Sequence, residues 1–262
     1  MVEFLDWLPR ILGALVLVGL AMAISRWQRV GLEKDMLIAV VRAFVQLIAI
    51  GFALEFIFNR EGSFWILLVV AIMIAIAGYT AGQRGGNIPR GQAVAIVSVS
   101  VGALLTLGVL VVLNVFPFEP RFIIPIAGMV VGNSMVVTGL VMTRLRDDLN
   151  LQKPQIEAAL ALGATQRQAA SKQLRRALAT GMTPIVDNTK TVGLISLPGA
   201  MTGMILAGAA PLEAVQLQII VMYMLMGGAA FSGLTAAFLT YRQFFTKAHQ
   251  LYVPVSSQDF QE

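Results

Sequence analysis

The chain has 262 residues, of which 57% are hydrophobic and 13% charged, and its mean hydropathy is +0.79. Soluble domains carry about a quarter of their residues as Asp, Glu, Lys and Arg, so this composition excludes an ordinary soluble domain and puts the chain in a bilayer. The absence of cysteine excludes disulfides, thiolate metal sites and cysteine nucleophiles. The net charge of +5 comes without an aromatic-interleaved basic domain, so no nucleic-acid partner is expected.

The first charge-free run, ILGALVLVGLAMAIS at 11–25, follows acidic Glu3 and Asp6. A secretory signal has a basic leader instead, so this run reads as a first membrane helix. The next, 36–58, is apolar except for Arg42, Gln46 and Glu55. Charge-free runs at 62–83, 91–118, 122–143, 191–212 and 214–241 follow, each near or above the roughly 20 residues a spanning helix needs. The expected fold is an all-α polytopic membrane protein of about seven transmembrane helices in a single domain, 1–262.

Orientation follows from the basic residues, which concentrate in short loops on the inner side of a membrane. With the N-terminus outside, the inner segments hold Arg26, Arg29 and Lys34, then Arg84 and Arg90, then a block from Arg144 to Lys190, then Arg242 and Lys247. The outer segments hold only Arg10, Arg60 and Arg121. The chain is therefore expected N-out and C-in, with the connection at about 144–187 inside.

Several chemistries are excluded by missing residues. The one histidine, His249, lies in a polar tail beyond the last apolar run, so no HExxH zinc site and no intramembrane Ser-His pair exists. No Gly-Lys dipeptide occurs, so a Walker A loop is absent and this chain has no ATP-hydrolysing motif of that type.

The long inner connection contains IEAALALGATQRQAASKQLRR at 156–176. Pro154 suits the first turn of a helix, and Ile156, Ala159 and Leu160 share one face with Glu157 on another. Gly163 is placed to close that helix in the left-handed conformation, and Thr165 with Gln168 has the spacing of a capping box that starts the next. The segment therefore reads as helix, sharp elbow, helix. It fits two roles: an amphipathic stretch resting on headgroups, or a docking knob.

Here the residues carry a resemblance. EAALALG at 157–163 is similar to the first half of the EAA loop of ABC-transporter permeases, a coupling helix that inserts into a cytoplasmic ATPase. The Ile-x-Leu-Pro that completes the importer loop does not follow at its usual distance. RAFVQLIAIGF (42–52), IPIAGMVVGNSMVVTGL (124–140), ALGATQRQA (161–169), the block 186–225 and LTYRQFF (239–245) resemble the FetB-type permease family over essentially the whole chain. That family is the membrane subunit of FetAB-type ABC transporters implicated in iron export, with plant relatives tied to aluminium tolerance. The resemblance implies a non-enzymatic permease in the plasma membrane (the bacterial inner membrane), driven by a separate ABC ATPase that supplies ATP and Mg chemistry. It implies docking through Glu157, Ala158, Ala159, Leu162, Gly163, Ala164 and Thr165. One elbow per chain against two ATPase domains implies a homodimer, and GMVVG (128–132) and GAMTG (199–203) are GxxxG patterns that let membrane helices approach. A secondary transporter or channel that works alone is the alternative.

Polar groups inside a bilayer face partners or water, which singles out candidates for a transport pathway. Arg42 and Gln46 share a helix face, Glu55 lies about three turns further out, and Asn133 and Ser134 fall mid-span. Asp187 and Lys190 are expected at the inner end of a sixth helix, where Asp187 could pair with Arg42 or with Lys190. Ser196 and Pro198 mark a break in that helix whose freed carbonyls could coordinate a cation; a structural kink is the other reading. Glu55 with Asn133 is the candidate oxygen set for a hard metal ion, and the thirteen methionines are available to a soft one. In sealed cells, a cysteine introduced at Ala210 should react with an impermeant reagent added outside, and one at Ser171 should not. Labelling at Ser171 would invert the orientation.

Overall fold

A computed structural model describes residues 2–58, 63–86, 88–246, 248 and 250–252. It is all-helical apart from two isolated β-bridges among these residues. The helices divide into two compact units, Met1–Glu61 and Gly62–Glu262. His249, Lys247, Arg60 and Asn59 lie outside the described residues.

In the first unit, α1 (Val2–Trp27) and α2 (Glu33–Phe58) form a hairpin. The turn needs left-handed backbone at Arg29 (φ 54°) and Gly31 (φ 79°). Ser25 at the end of α1 donates its hydroxyl to Glu33 at 3.1 Å, so the two helices are tied where the chain reverses. Glu33 and Asp35 lie in the first turn of α2, where the helix dipole favours anions. Leu17, Leu47 and Phe52 are each 70% exposed. Such a surface would aggregate in water, but in a bilayer it meets hydrocarbon.

The second unit is built on α3 (Ser63–Arg84), α4 (Gly91–Val112), α5 (Pro120–Leu151) and α10 (Pro211–Gln243). With α2, these are the five helices long and apolar enough to cross a membrane among the described residues, and Ile11–Trp27 is a shorter apolar stretch. Van der Waals packing, not hydrophobicity, holds membrane helices together, so small residues set the contacts. A Cβ on Gly78 would stand 2.7 Å from the Ile96 backbone, and one on Gly82 2.9 Å from that of Gln92, which fixes α3 on α4. A Cβ on Gly102 would meet Ser232 at 2.7 Å and Ser134 at 2.8 Å, which fixes α4 in the groove between α5 and α10. The GxxxG glycines behave differently: Gly132, Gly199 and Gly203 have nothing within 4 Å of such a Cβ, and Gly128 meets only the tip of Met73 at 3.9 Å.

Between α5 and α10 the structure departs from the expected pattern. The chain forms α6 (Lys153–Ala161), α7 (Gln166–Ala169), α8 (Ser171–Thr191) and α9 (Gly199–Leu206). The apolar run 191–212 is thus not a spanning helix. Gly193 takes φ +82° and its N–H reaches the Ser196 carbonyl at 2.9 Å, a turn that opens before Pro198. Pro198 then caps α9 rather than kinking a continuous helix.

Helix α8, whose residues the sequence places almost wholly in the inner connection, packs against both α5 and α10. Ala177, Gly181 and Ile185 form its buried face. Gly181 lies against Val141 and the Val137 carbonyl of α5, and Leu178 against Gly233 of α10. At 1.5 Å per residue, α8 runs about 30 Å along these helices. Hydropathy missed it because an average over the helix mixes this face with a polar one. Replacing Gly102 with Ala should cost about 1–3 kcal/mol of stability by overpacking, whereas Gly108→Ala in the same helix, with open space at its Cβ, should cost nothing. Thermal unfolding in detergent measures both.

Candidate functional site

The elbow has the local geometry its residues dictate. Pro154 sits in the first turn of α6, and Gly163 closes that helix at φ +90°. The Ala164 N–H bonds the Ala159 carbonyl and the Gly163 N–H that of Leu160, both at 3.0 Å, the bond pair of a Schellman motif. Thr165 Oγ1 then accepts the Gln168 N–H at 3.3 Å while the Thr165 N–H donates to Gln168 Oε1 at 2.9 Å, a reciprocal capping box. These two caps satisfy the polar backbone of a bend that lacks helical partners.

The base of the elbow is braced and its tip is free. Ile156 is buried against the core, and Lys153 lies 3.8 Å from Glu157 one turn on. Gln166 donates to the Thr246 carbonyl at 3.0 Å, and Gln173 of α8 to Gln152 at the end of α5 at 2.8 Å. The segment after α10 is itself folded back, Tyr252 donating to the Phe244 carbonyl at 2.7 Å. Of the candidate docking residues, Glu157, Ala158, Leu162, Gly163 and Thr165 are exposed and Ala159 and Ala164 half-buried. Leu162 is 90% exposed, an apolar side chain carried on a rigid turn.

From this foot, α8 rises with one face against α5 and α10 and the other uncovered. The uncovered face presents Lys172, Arg176, Thr180, Thr183, Asp187 and Asn188. Beside the apolar stretch of α10, such a stripe must face water or another protein surface, because hydrocarbon cannot solvate it. Asp187 stands four turns above the start of α8, 3.7 Å from Lys190, with both side chains more than half exposed. Lys190, rather than any group elsewhere in this unit, is its ion-pair partner.

Behind the stripe, the helix break opens a cavity of about 390 Å³ between Thr189, Gly193, Met201, Met222 and Gln218. Gln218 is 5% exposed, and neither its amide nitrogen nor its amide oxygen meets a hydrogen-bonding group of the protein. Leaving such a group dry costs on the order of 1–3 kcal/mol. The cavity is large enough to remove that cost by admitting water. Gln218 and the threonines of α8 were missed in the sequence. The spacing of Arg176, Thr180, Thr183, Asp187 and Thr191 at three and four residues was the available signal for the stripe.

The other candidates fall in distinct surroundings. Asn133 donates to the Leu225 carbonyl at 2.9 Å, cross-linking α5 to α10. Ser134 is fully buried in the seam with Gly102 and Gly228. The Ser196 carbonyl closes the turn at the break, and Pro198 starts α9. Arg42, Gln46 and Glu55 are exposed along α2 in the first unit. No group of three or more His, Asp or Glu side chains that could hold a metal ion occurs among the described residues. Two further residues act at the end of α3: Arg146 donates to the Gly85 carbonyl at 2.9 Å and Thr143 to that of Arg84 at 3.0 Å, covering its C-terminus.

Since the chain has no native cysteine, the stripe is open to a direct probe. Cysteines at Thr183 and Asn188 should react with a small water-soluble thiol reagent in the assembled membrane protein, and cysteines at Ala177 and Ile185 should not. Equal silence at all four positions would mean that no water reaches the face.

The comparisons with known proteins agree with this architecture. The model of the Uncharacterised protein family (UPF0014) matches residues 8–245. Protein ALUMINUM SENSITIVE 3 of Arabidopsis thaliana is 53% identical over 259 residues, 99% of this chain and 95% of that one. The UPF0014 membrane protein STAR2 of Oryza sativa subsp. japonica is 52% identical, covering 98% and 90%. The Probable iron export permease protein FetB of Escherichia coli (strain K12) is 40% identical, covering 92% and 93%. No solved structure matches the chain. With its apolar helices and these full-length relatives, the chain is a multi-pass membrane protein that belongs to the Uncharacterised protein family (UPF0014).

Proposed function

We propose that the chain is the membrane subunit of an ABC transporter and moves a metal ion along the uncovered polar face of α8, powered by a separate ATPase docked on the elbow. The observation that carries this reading is the continuity of the two features. The elbow ends at Ala170, and Ser171 begins the helix that bears Thr183, Asp187 and Asn188. A force on the exposed tip at Leu162 and Gly163 reaches the polar face through one braced helix rather than a flexible loop. The helix–turn–helix is stiff enough for this because Gly163 and the Thr165–Gln168 box cap its central turn, and Gln166 and Gln173 tie it to the segment after α10 and to the end of α5.

ATP and Mg enter only through the partner, in keeping with the missing Gly-Lys dipeptide. Two ATPase domains need two elbows, so the working unit is a two-fold dimer of this chain. Iron is the cargo to test first, because one relative is named a probable iron export permease. The cargo would leave its hydration shell for Asp187, the hydroxyls of Thr180 and Thr183 and the amide of Gln218. Lys190 belongs to this proposed route as a gating charge, and Arg42, Gln46 and Glu55 are proposed pathway residues within the first unit.

Reconstitution with the ATPase in vesicles tests this, with iron flux followed in both directions. Gly163→Pro or Glu157→Arg should leave insertion intact and reduce flux to the level seen without ATP. Undiminished ATP-driven flux in both variants would return the elbow to a passive role on the headgroups. Flux by the chain alone, unaffected by adding the ATPase, would favour a stand-alone transporter.

A further inference from the structure

Between the inner ends of α8 and α10 lies a groove of about 260 Å³ that the transport reading does not use. Its wall is apolar and aromatic, with Leu178 and Leu234 at one end and Phe238 and Tyr241 toward the elbow. Its rim carries Arg167 and Arg175. A third guanidinium, that of Arg242, stacks 4.4 Å above the Phe238 ring. The order of these groups along the helices matters. Tyr241 ends the charge-free run of α10 and Arg242 follows it, so the arginines stand where hydrocarbon gives way to headgroups and the leucines stand one to two turns deeper.

All three guanidiniums are without a carboxylate partner among the described residues, whose ion pairs use Arg144, Arg146, Lys153 and Lys190 instead. Arg167, Arg175 and Arg242 are exposed, and no acidic residue lines the groove. Three like charges around one opening repel unless an anion joins them. A soluble anion would satisfy the rim and leave the apolar wall wet. An amphiphile with a phosphate at one end and an alkyl chain at the other satisfies both.

We propose that this groove is a binding site for one anionic phospholipid, its phosphate held by Arg167 and Arg175 and one acyl chain laid along Leu178, Leu234 and Phe238. Arginine suits the role because its planar fork can donate two parallel hydrogen bonds to phosphate oxygens. The lipid then bridges α7, α8 and α10 at the foot of the elbow. The site is independent of what the permease transports and of which ATPase drives it.

The test uses the full chain alone, purified in mild detergent, with bound lipid counted by native mass spectrometry after exposure to phosphatidylglycerol or phosphatidylcholine. One phosphatidylglycerol per chain should be retained and phosphatidylcholine lost. The exposed pair Arg167→Gln and Arg175→Gln should lower that retention several-fold without changing helix content. Leu178→Trp, which fills the deep end while keeping every arginine, should lower it as well; Leu234→Phe serves if that variant fails to fold. Equal retention of both lipids, or full phosphatidylglycerol retention in the arginine variant, would overturn the site. So would displacement of the lipid by millimolar inorganic phosphate, which would make the rim an anion site only. If the variants change the number of chains per particle and leave lipid occupancy unaltered, the groove is an interface between copies and the proposal fails.

Discussion

The seat of α8 on α5 is the contact on which the functional part of the molecule depends. Gly181 lies against Val141 and the Val137 carbonyl because it has no Cβ to hold the helices apart. Any side chain there would push α8 off the bundle. Three things would go with it: the polar face would lose its place beside the apolar helices, the cavity at Gln218 would lose the wall that Thr189 supplies, and the groove at Arg175 would lose one side. The elbow would keep its caps and its buried Ile156 but would lose the tie of Gln173 to Gln152.

This dependence follows from how the bilayer treats polar groups. In water a helix with a charged face and a small-residue face needs no special place. Beside hydrocarbon, each backbone and side-chain polar group must be satisfied by protein or by a hydrated path. Most of those on this chain are satisfied locally: the Ser98 and Ser232 hydroxyls donate to carbonyls one turn back at 2.7 Å, and Asn133 to Leu225 across helices. Among the buried groups without such a partner is the amide of Gln218, which lies across one helix break from the exposed polar stripe on α8. Their proximity is the physical basis for reading that region as a route rather than as packing.

The two ends of α8 carry different electrostatics. Near its foot Arg175, Arg176 and Lys172 are unopposed, while near its top Asp187 and Lys190 neutralise each other at 3.7 Å. An exposed i,i+3 pair of this kind contributes well under about 1 kcal/mol in water, so it fixes little structure. It leaves a carboxylate that can exchange Lys190 for another cation at small cost.

The amino-acid sequence by itself determined the membrane class, most of the long helices and the shape of the elbow. Those features are local: a run of about 20 apolar residues suffices for a span, and Gly163 with Thr165 and Gln168 suffices for a cap and a restart. It also determined that no ATP-binding loop of the Gly-Lys type is present. Tertiary structure alone decided that 171–191 belongs to the bundle, that 191–212 does not span, and that Gln218 is buried beside the break. Periodicity names the faces of a helix but not what each will meet. The small face of α8 found a partner only because Val137, Val141 and Gly233, from two distant helices, leave a slot of the right depth. Gln218 likewise reads as one more residue in an apolar run until the chain folds back at Gly193 and encloses it.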